Sequence, residues 1–287
     1  MKILSREEWN AERPLPLSSD GSLQLFFVGA GSAFSKRFYQ TNLLIIKEDT
    51  HLLIDCGTRA PESLSFLGLP VTRIENFLIT HSHADHIGGL EEVMLMNRYA
   101  AGQRKPRIVL SKAYQKVLWG SSLRGGCAFN ERRGTRALSF EDFWTPVRPR
   151  RIRGADRELS ETQIGALKLT IFRTKHIPDN AASWRDSAPS HGVIIDDRVL
   201  FTSDTRYDPD MVTALDRTFG FETIFHDGQL FTGGVHASLD ELAALPADIK
   251  ARMYLMHYQD SVDSRREEAL RQGFAGFAEQ WRHYVFD

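Results

Sequence analysis

Apolar positions along the chain fall into short β-prone runs broken by glycine and small polar turns, with stretches of helical spacing between them. LQLFFVGAGSAF reads as a strand running into a glycine-rich turn, and TNLLIIKEDTHLLIDCGT as two strands joined by a polar turn at Glu48 and Asp49. GLEEVMLMNRYAAGQ instead spaces Leu90, Val93, Met94 and Met96 for a helix, which makes the methionines core residues. PRIVL predicts a further strand and SKAYQKVLWG a further helix, while SRREEALRQGFAGFAEQW reads as a final helix. Strands alternating with helices in both halves predict a layered α/β fold with helices outside.

Behind the apolar run NFLIT comes THSHADHIGG, which packs His81, His83, Asp85 and His86 into six positions. Alternation lets His81 and His83 point the same way while Asp85 and His86 turn toward a second point, so the cluster predicts a two-metal centre. Three more donors stand just past β-prone runs: His176 after LTIFRTK, Asp204 after VLFTS and His257 after RMYLM. Loops at strand ends, held by a rigid sheet, are where sites are built. Asp55, ahead of Cys56-Gly57, reads as a turn residue. Gly29-x-Gly31 is a poor nucleotide fingerprint, because no third glycine follows in place and a strand comes next.

Donors spread from His81 to His257 argue for one domain over 1–287. Apolar residues at 42% and charged residues at 25% fit an ordinary globular core. Charges in MKILSREEWNAERPL stand where an export signal needs an apolar stretch, and with no membrane-length run this predicts a cytoplasmic protein. Cys56 and Cys127 are the two cysteines, expected reduced. A net charge of -1 favours a small anionic substrate over a long nucleic acid, with no membrane partner. Residues 120–157 are arginine-rich, either a solvated surface insertion or a lid or dimer-contact segment able to grip phosphate.

His81-x-His83-x-Asp85-His86 followed by Gly88-Gly89 resembles the signature of the metallo-β-lactamase superfamily. The resemblance spans about Leu23 to Asp260 and implies an αββα sandwich with a dinuclear metal site at one edge. It implies that His81, His83 and His176 hold one metal, that Asp85, His86 and His257 hold the other, that Asp204 bridges them, and that Asp55 supports the ligands instead of only turning the chain. With only nitrogen and oxygen donors, zinc leads, and manganese or iron would also fit. Superfamily β-lactamases usually carry a cysteine where Asp204 stands, so antibiotic hydrolysis is not expected.

In IFHDGQLFTGGVHASLDELAALP, Ser238-x-x-Glu241 is a capping box that places His236 exposed, just ahead of a helix start. The segment resembles that of ribonuclease Z and related phosphodiesterases, where an acidic residue and a histidine act as a relay; Asp227 and His236 would take those parts, and His226 would turn into the sheet. No Gly-Pro-rich tRNA-gripping arm is present, so the resemblance implies a phosphodiesterase for a cyclic nucleotide or similar small phosphodiester. Asp85 would orient the attacking hydroxide and His236 would protonate the leaving oxygen. The alternatives are a ribonuclease Z-like RNA endonuclease, or a lactone or thioester hydrolase. Enzymes of this kind imply a homodimer.

Overall fold

The computed structural model describes residues 1–4 and 9–287, so part of the charged start read above, residues 5–8, lies outside the described residues. The chain forms two compact units, residues 2–29, 42–149 and 281–287 in the first, and residues 1, 30–41 and 150–280 in the second.

In chain order the strands of the first unit are β1 (Lys2–Ile3), β2 (Leu23–Gly29), β3 (Asn42–Lys47), β4 (Thr50–Ile54), β5 (Asn76–Leu78), β6 (Arg107–Val109), the small hairpin β7 (Arg132–Arg133) and β8 (Arg136–Ala137), and β9 (Thr145–Val147). The second unit contributes β10 (Arg150–Ile152), β11 (Leu159–Ile164), β12 (Leu167–Arg173), β13 (His191–Ile195), β14 (Val199–Phe201), β15 (Thr223–Asp227), β16 (Met253–Met256) and β17 (Gly276–Phe277). The chain then returns to the first unit for β18 (His283–Phe286).

Each unit is built on one eight-stranded sheet, in the order β1-β18-β2-β3-β4-β5-β6-β9 and β10 through β17 respectively. Both are mixed. Pairing is antiparallel from β1 to β4 and from β10 to β14, then parallel for β4-β5-β6-β9 and for β14-β15-β16-β17. Leu43–Ile46 of β3 have no exposure at all, which explains why this strand reads as an unbroken apolar run instead of an alternating one.

A hydrophobic cluster in the first unit joins Phe26, Leu44 and Phe77 to Leu64, Leu90 and Val93 of the flanking helices. The helix after the histidine motif spans Leu90–Leu95 and continues as a wider turn through Ala100. Met94 is core, as expected, but Met96 is 41% exposed, because at helical spacing it falls on the face away from Leu90, Val93 and Met94. Residues 120–157 carry core as well as charge. Phe140, Phe143 and Trp144 are buried, Trp144 meets Phe77 edge to face at 5.3 Å, and Arg136 pairs with Asp142 at 2.7 Å. The stretch runs from the first sheet (β9) into the second (β10), which is more than a surface loop would do.

The expected final helix is shorter than its pattern. It covers Arg266–Arg271, and Gly273 at φ +92° lets the chain turn out toward β17. Both cysteines are buried and free, and burial pushes the Cys127 thiol up to about 12. Among the described residues no helix is long and apolar enough to cross a membrane.

Gly192 of β13 faces Phe172 of β12, whose buried ring would lie 2.2 Å from an added Cβ. Gly192→Ala is therefore expected to cost about 1–3 kcal/mol through overpacking. The check is the urea midpoint, which should fall without a change of slope; an unchanged midpoint would mean that the ring has room to move.

Candidate metal and catalytic site

Parallel pairing of β4 and β5 brings their C-terminal ends to one edge of the first sheet. Asp55 follows β4 directly, in a left-handed backbone conformation at φ 63°. Its carboxylate is buried and accepts from the Thr80 amide at 2.8 Å, the Thr80 hydroxyl at 2.7 Å and His86 Nδ1 at 2.6 Å. Burial holds the Asp55 carboxyl above its ordinary range, opposed by His86 and Thr80. The network fixes the segment beyond β5. With Nδ1 engaged, His86 presents Nε2, 3.2 Å from Asp85 Oδ2.

In the same segment His81 Nε2 lies 3.0 Å from His83 Nδ1, and the His81 and His86 rings approach to 4.0 Å. His81, Asp85 and His86 are all buried. Three imidazoles and a carboxylate in so small a volume are suited to divalent cations, and a carboxylate on the far ring nitrogen of a ligating histidine sets its tautomer and raises its basicity.

The second sheet carries the other donors by the same device. Two antiparallel steps from β12 to β14, then parallel steps to β16, point β12, β14, β15 and β16 the same way. His176, Asp204, Asp227 and His257 stand at or just past their C-terminal ends. Asp204 Oδ2 is 3.7 Å from both His176 Nε2 and His257 Nε2. That is too long for hydrogen bonds. It is close to the spacing of roughly 3.4 Å between two ligands that each lie about 2.1 Å from a tetrahedral ion. His176 Nδ1 donates to the Val235 carbonyl at 2.9 Å, which aims Nε2 at Asp204, and burial lowers the ring's pKa to about 4, the neutral form a ligand needs. The His257 amide donates to the Ala30 carbonyl at 2.9 Å, with φ at 61°.

Asp227, the last residue of β15, is wholly buried and accepts from the Thr205 amide at 2.9 Å and from His236 Nδ1 at 2.7 Å. The His236 ring stacks on His257 with centroids 4.6 Å apart and lies 3.9 Å from Asp204 Oδ2. The Ser238–Glu241 capping box forms as expected. His236 is less open than its place ahead of a helix start suggested, with a side chain 19% exposed, because the bond to Asp227 draws it inward. His226, one residue before Asp227, takes the opposite face of the sheet, is buried, and donates Nδ1 to the Asp227 carbonyl at 2.7 Å.

Beside His236 and His257 the second unit opens a cavity of about 480 Å³, lined also by Phe34 and Phe231. The sequence reading passed over both phenylalanines; their one signal was an aromatic residue among small ones, in GSAFSK and in LFTGG.

The backbone shares its fold with solved metallo-β-lactamase-fold structures. One is YhfI from Bacillus subtilis, with a TM-score of 0.66 at 16% identity, covering 92% of this chain and 100% of that one. Another is unliganded yeast PDE1, with a TM-score of 0.63 at 12% identity, covering 93% and 99%. The class is thus that of the metallo-β-lactamase-fold proteins.

Within that class the chain belongs to the family described as anti-Pycsar protein Apyc1, whose family model matches residues 23–284. A relative of that name from Bacillus phage vB_BsuM-Goe3 is 37% identical over 268 residues, 91% of this chain and 98% of its own length. The likeness extends past Asp260, where the sequence motifs end, to the start of β18, a strand of the first sheet with no motif residue of its own.

Asp55→Ala leaves three buried donors without their acceptor and is expected to cost about 3–5 kcal/mol. Metal retention should fall roughly 10–100-fold through loss of the His86 support. Unfolding and metal-competition titrations report the two effects separately, and an Asp55→Ala protein that matches the parent in both would show the network to be idle.

Proposed function

We propose that the chain is a dinuclear metal-dependent phosphodiesterase acting on a cyclic nucleotide or similar small phosphodiester. The observation that carries this reading is the His236–Asp227 pair set beside Asp204 and His257. Metal chemistry alone would serve many hydrolases, whereas a histidine anchored by a buried carboxylate suits delivery of a proton to an alkoxide leaving group. The relatives' name, anti-Pycsar protein, is consistent with this reading, and we infer the same role here.

His81, His83 and His176 would hold one ion and Asp85, His86 and His257 the other, with Asp204 shared. Two divalent ions so held would polarise the phosphate and make hydroxide available near neutral pH. The all nitrogen and oxygen donor set supports zinc, with manganese or iron as alternatives. Asp85 would also orient the attacking oxygen. Asp227 holds the His236 ring by Nδ1, which leaves Nε2 as the atom that exchanges a proton with the leaving oxygen. On this reading residues 1–287 act as one catalytic domain, a cytoplasmic homodimer, with the arginines of 120–157 on its rim.

Asp204→Ala should lower occupancy of both metal positions, because two cations would then be held without a shared anion. Elemental analysis of the purified protein decides the point, and two metals per chain at full activity would remove Asp204 from the ligand set.

His236→Ala should keep its metals yet lose roughly 10²–10⁴-fold in turnover of a cyclic nucleotide, the usual range for general acid catalysis. A p-nitrophenyl phosphodiester, whose leaving group departs without a proton, should suffer much less. Asp227→Ala should follow the same pattern more weakly. Equal losses on both substrates would make His236 a binding residue instead.

A further inference from the structure

The two loops that line the cavity beside His236 are held far more firmly than their exposed tips require. Asp260 gathers one of them by accepting from the Ser35 hydroxyl, from the Lys36 amide at 2.9 Å and from the Arg37 amide at 3.1 Å. Gly31 at its base has no room for a side chain, since a Cβ there would meet Phe38 Cβ at 2.8 Å, and Phe38 is braced edge to face on Tyr258 at 5.3 Å. The result is a rigid turn that displays Phe34 at 87% exposure.

On the other loop the Leu230 amide donates to Gln259 Oε1 at 2.8 Å and the Gln229 side-chain amide to the Gly233 carbonyl. Gly233 and Gly234 take φ of +99° and +89° to close that loop, and Phe231 stands out from it at 57% exposure. Holding two phenylalanines in water is unfavourable unless a ligand covers them.

We propose that this cavity is a nucleobase subsite, in which the heteroaromatic ring of a nucleotide stacks on Phe34 and Phe231 while its phosphate reaches His236. This rests on the phosphodiesterase reading for the place of the phosphate; the base position comes from the cavity itself. Three features point to a flat ring as the occupant. The volume of about 480 Å³ lies in the range of small-ligand sites. The exposed lining is aromatic, and any base offers a π-face to it. The one carboxylate among the lining residues, Asp260, is spent on the loop it anchors, so no fixed negative charge is aimed at an incoming nucleotide.

The test compares a nucleotide with its base-free counterpart on the metal-loaded protein. Adenosine 5′-monophosphate and ribose 5-phosphate are titrated calorimetrically against the parent protein, Phe34→Ala, Phe231→Ala and Phe34→Trp. The parent should bind the nucleotide more tightly than the sugar phosphate. Each alanine variant should weaken nucleotide binding by about 5- to 150-fold, the span of one base–aromatic stack. Ribose 5-phosphate binding should be the same in all four proteins, and Phe34→Trp should bind the nucleotide at least as well as the parent.

Equal affinity of the parent for the two ligands, or parallel weakening of both in the variants, overturns the subsite. So does dissociation of a dimer on Phe34→Ala, read by light scattering, since the ring would then belong to a second copy. Failure of the wild-type protein to turn over any cyclic nucleotide, with base-dependent binding intact, would instead sink the phosphodiesterase reading and leave the subsite standing.

Discussion

Strand direction is the constraint on which the rest of the structure depends. A donor just past the C-terminal end of a strand shares an edge only with donors on strands that run the same way. In the second sheet β12, β14, β15 and β16 do so, although β13 between β12 and β14 runs opposite. His176, Asp204, Asp227 and His257 therefore collect at one edge with no loop having to reach across the sheet. The first sheet repeats the arrangement with β4 and β5, which deliver Asp55 and the His81–His86 segment. Side chains placed this way inherit the rigidity of a hydrogen-bonded ladder, as a site that must hold ions to a few tenths of an ångström needs.

Placement alone would leave buried carboxylates and imidazoles at a high desolvation cost. Two of the aspartates are met by specific partners. Asp55 accepts from His86 and Thr80, and Asp227 accepts from His236 and the Thr205 amide. Each aspartate stands at or just past the C-terminal end of a strand, but the histidines they hold differ in exposure. Asp55 holds a histidine that is itself nearly inaccessible, whereas Asp227 holds one whose ring still reaches solvent.

Much of this was legible in the sequence, because apolar runs ending in polar residues announce both the strands and the donors that follow them. NFLIT, LTIFRTK, VLFTS and RMYLM each contain the strand expected, though β5 is only Asn76–Leu78. Pairing partners and strand direction were not legible, since they depend on contacts far apart in the chain. Nor was the left-handed backbone at Asp55 and His257, whose amides are held by the Leu78 and Ala30 carbonyls, far away in the chain. The final helix was read too long because FAGFAEQW keeps an apolar rhythm that β17 and the following turn use instead. Phe34 and Phe231 escaped notice because lone aromatics in loops carry no period.

The position of β18 bears on how the protein is made. This strand lies between β1 and β2 and packs His283 against Phe26 at 4.7 Å, yet the chain reaches it only after the whole of the second unit has been laid down. During synthesis the edge of β2 must wait, unpaired, while residues 30–280 emerge from the ribosome. An open apolar edge of that kind recruits other chains. The first sheet therefore closes late and through long-range contacts, and slow translation or a prematurely ended message would leave a nascent chain prone to aggregate although every donor of the candidate site had already been made.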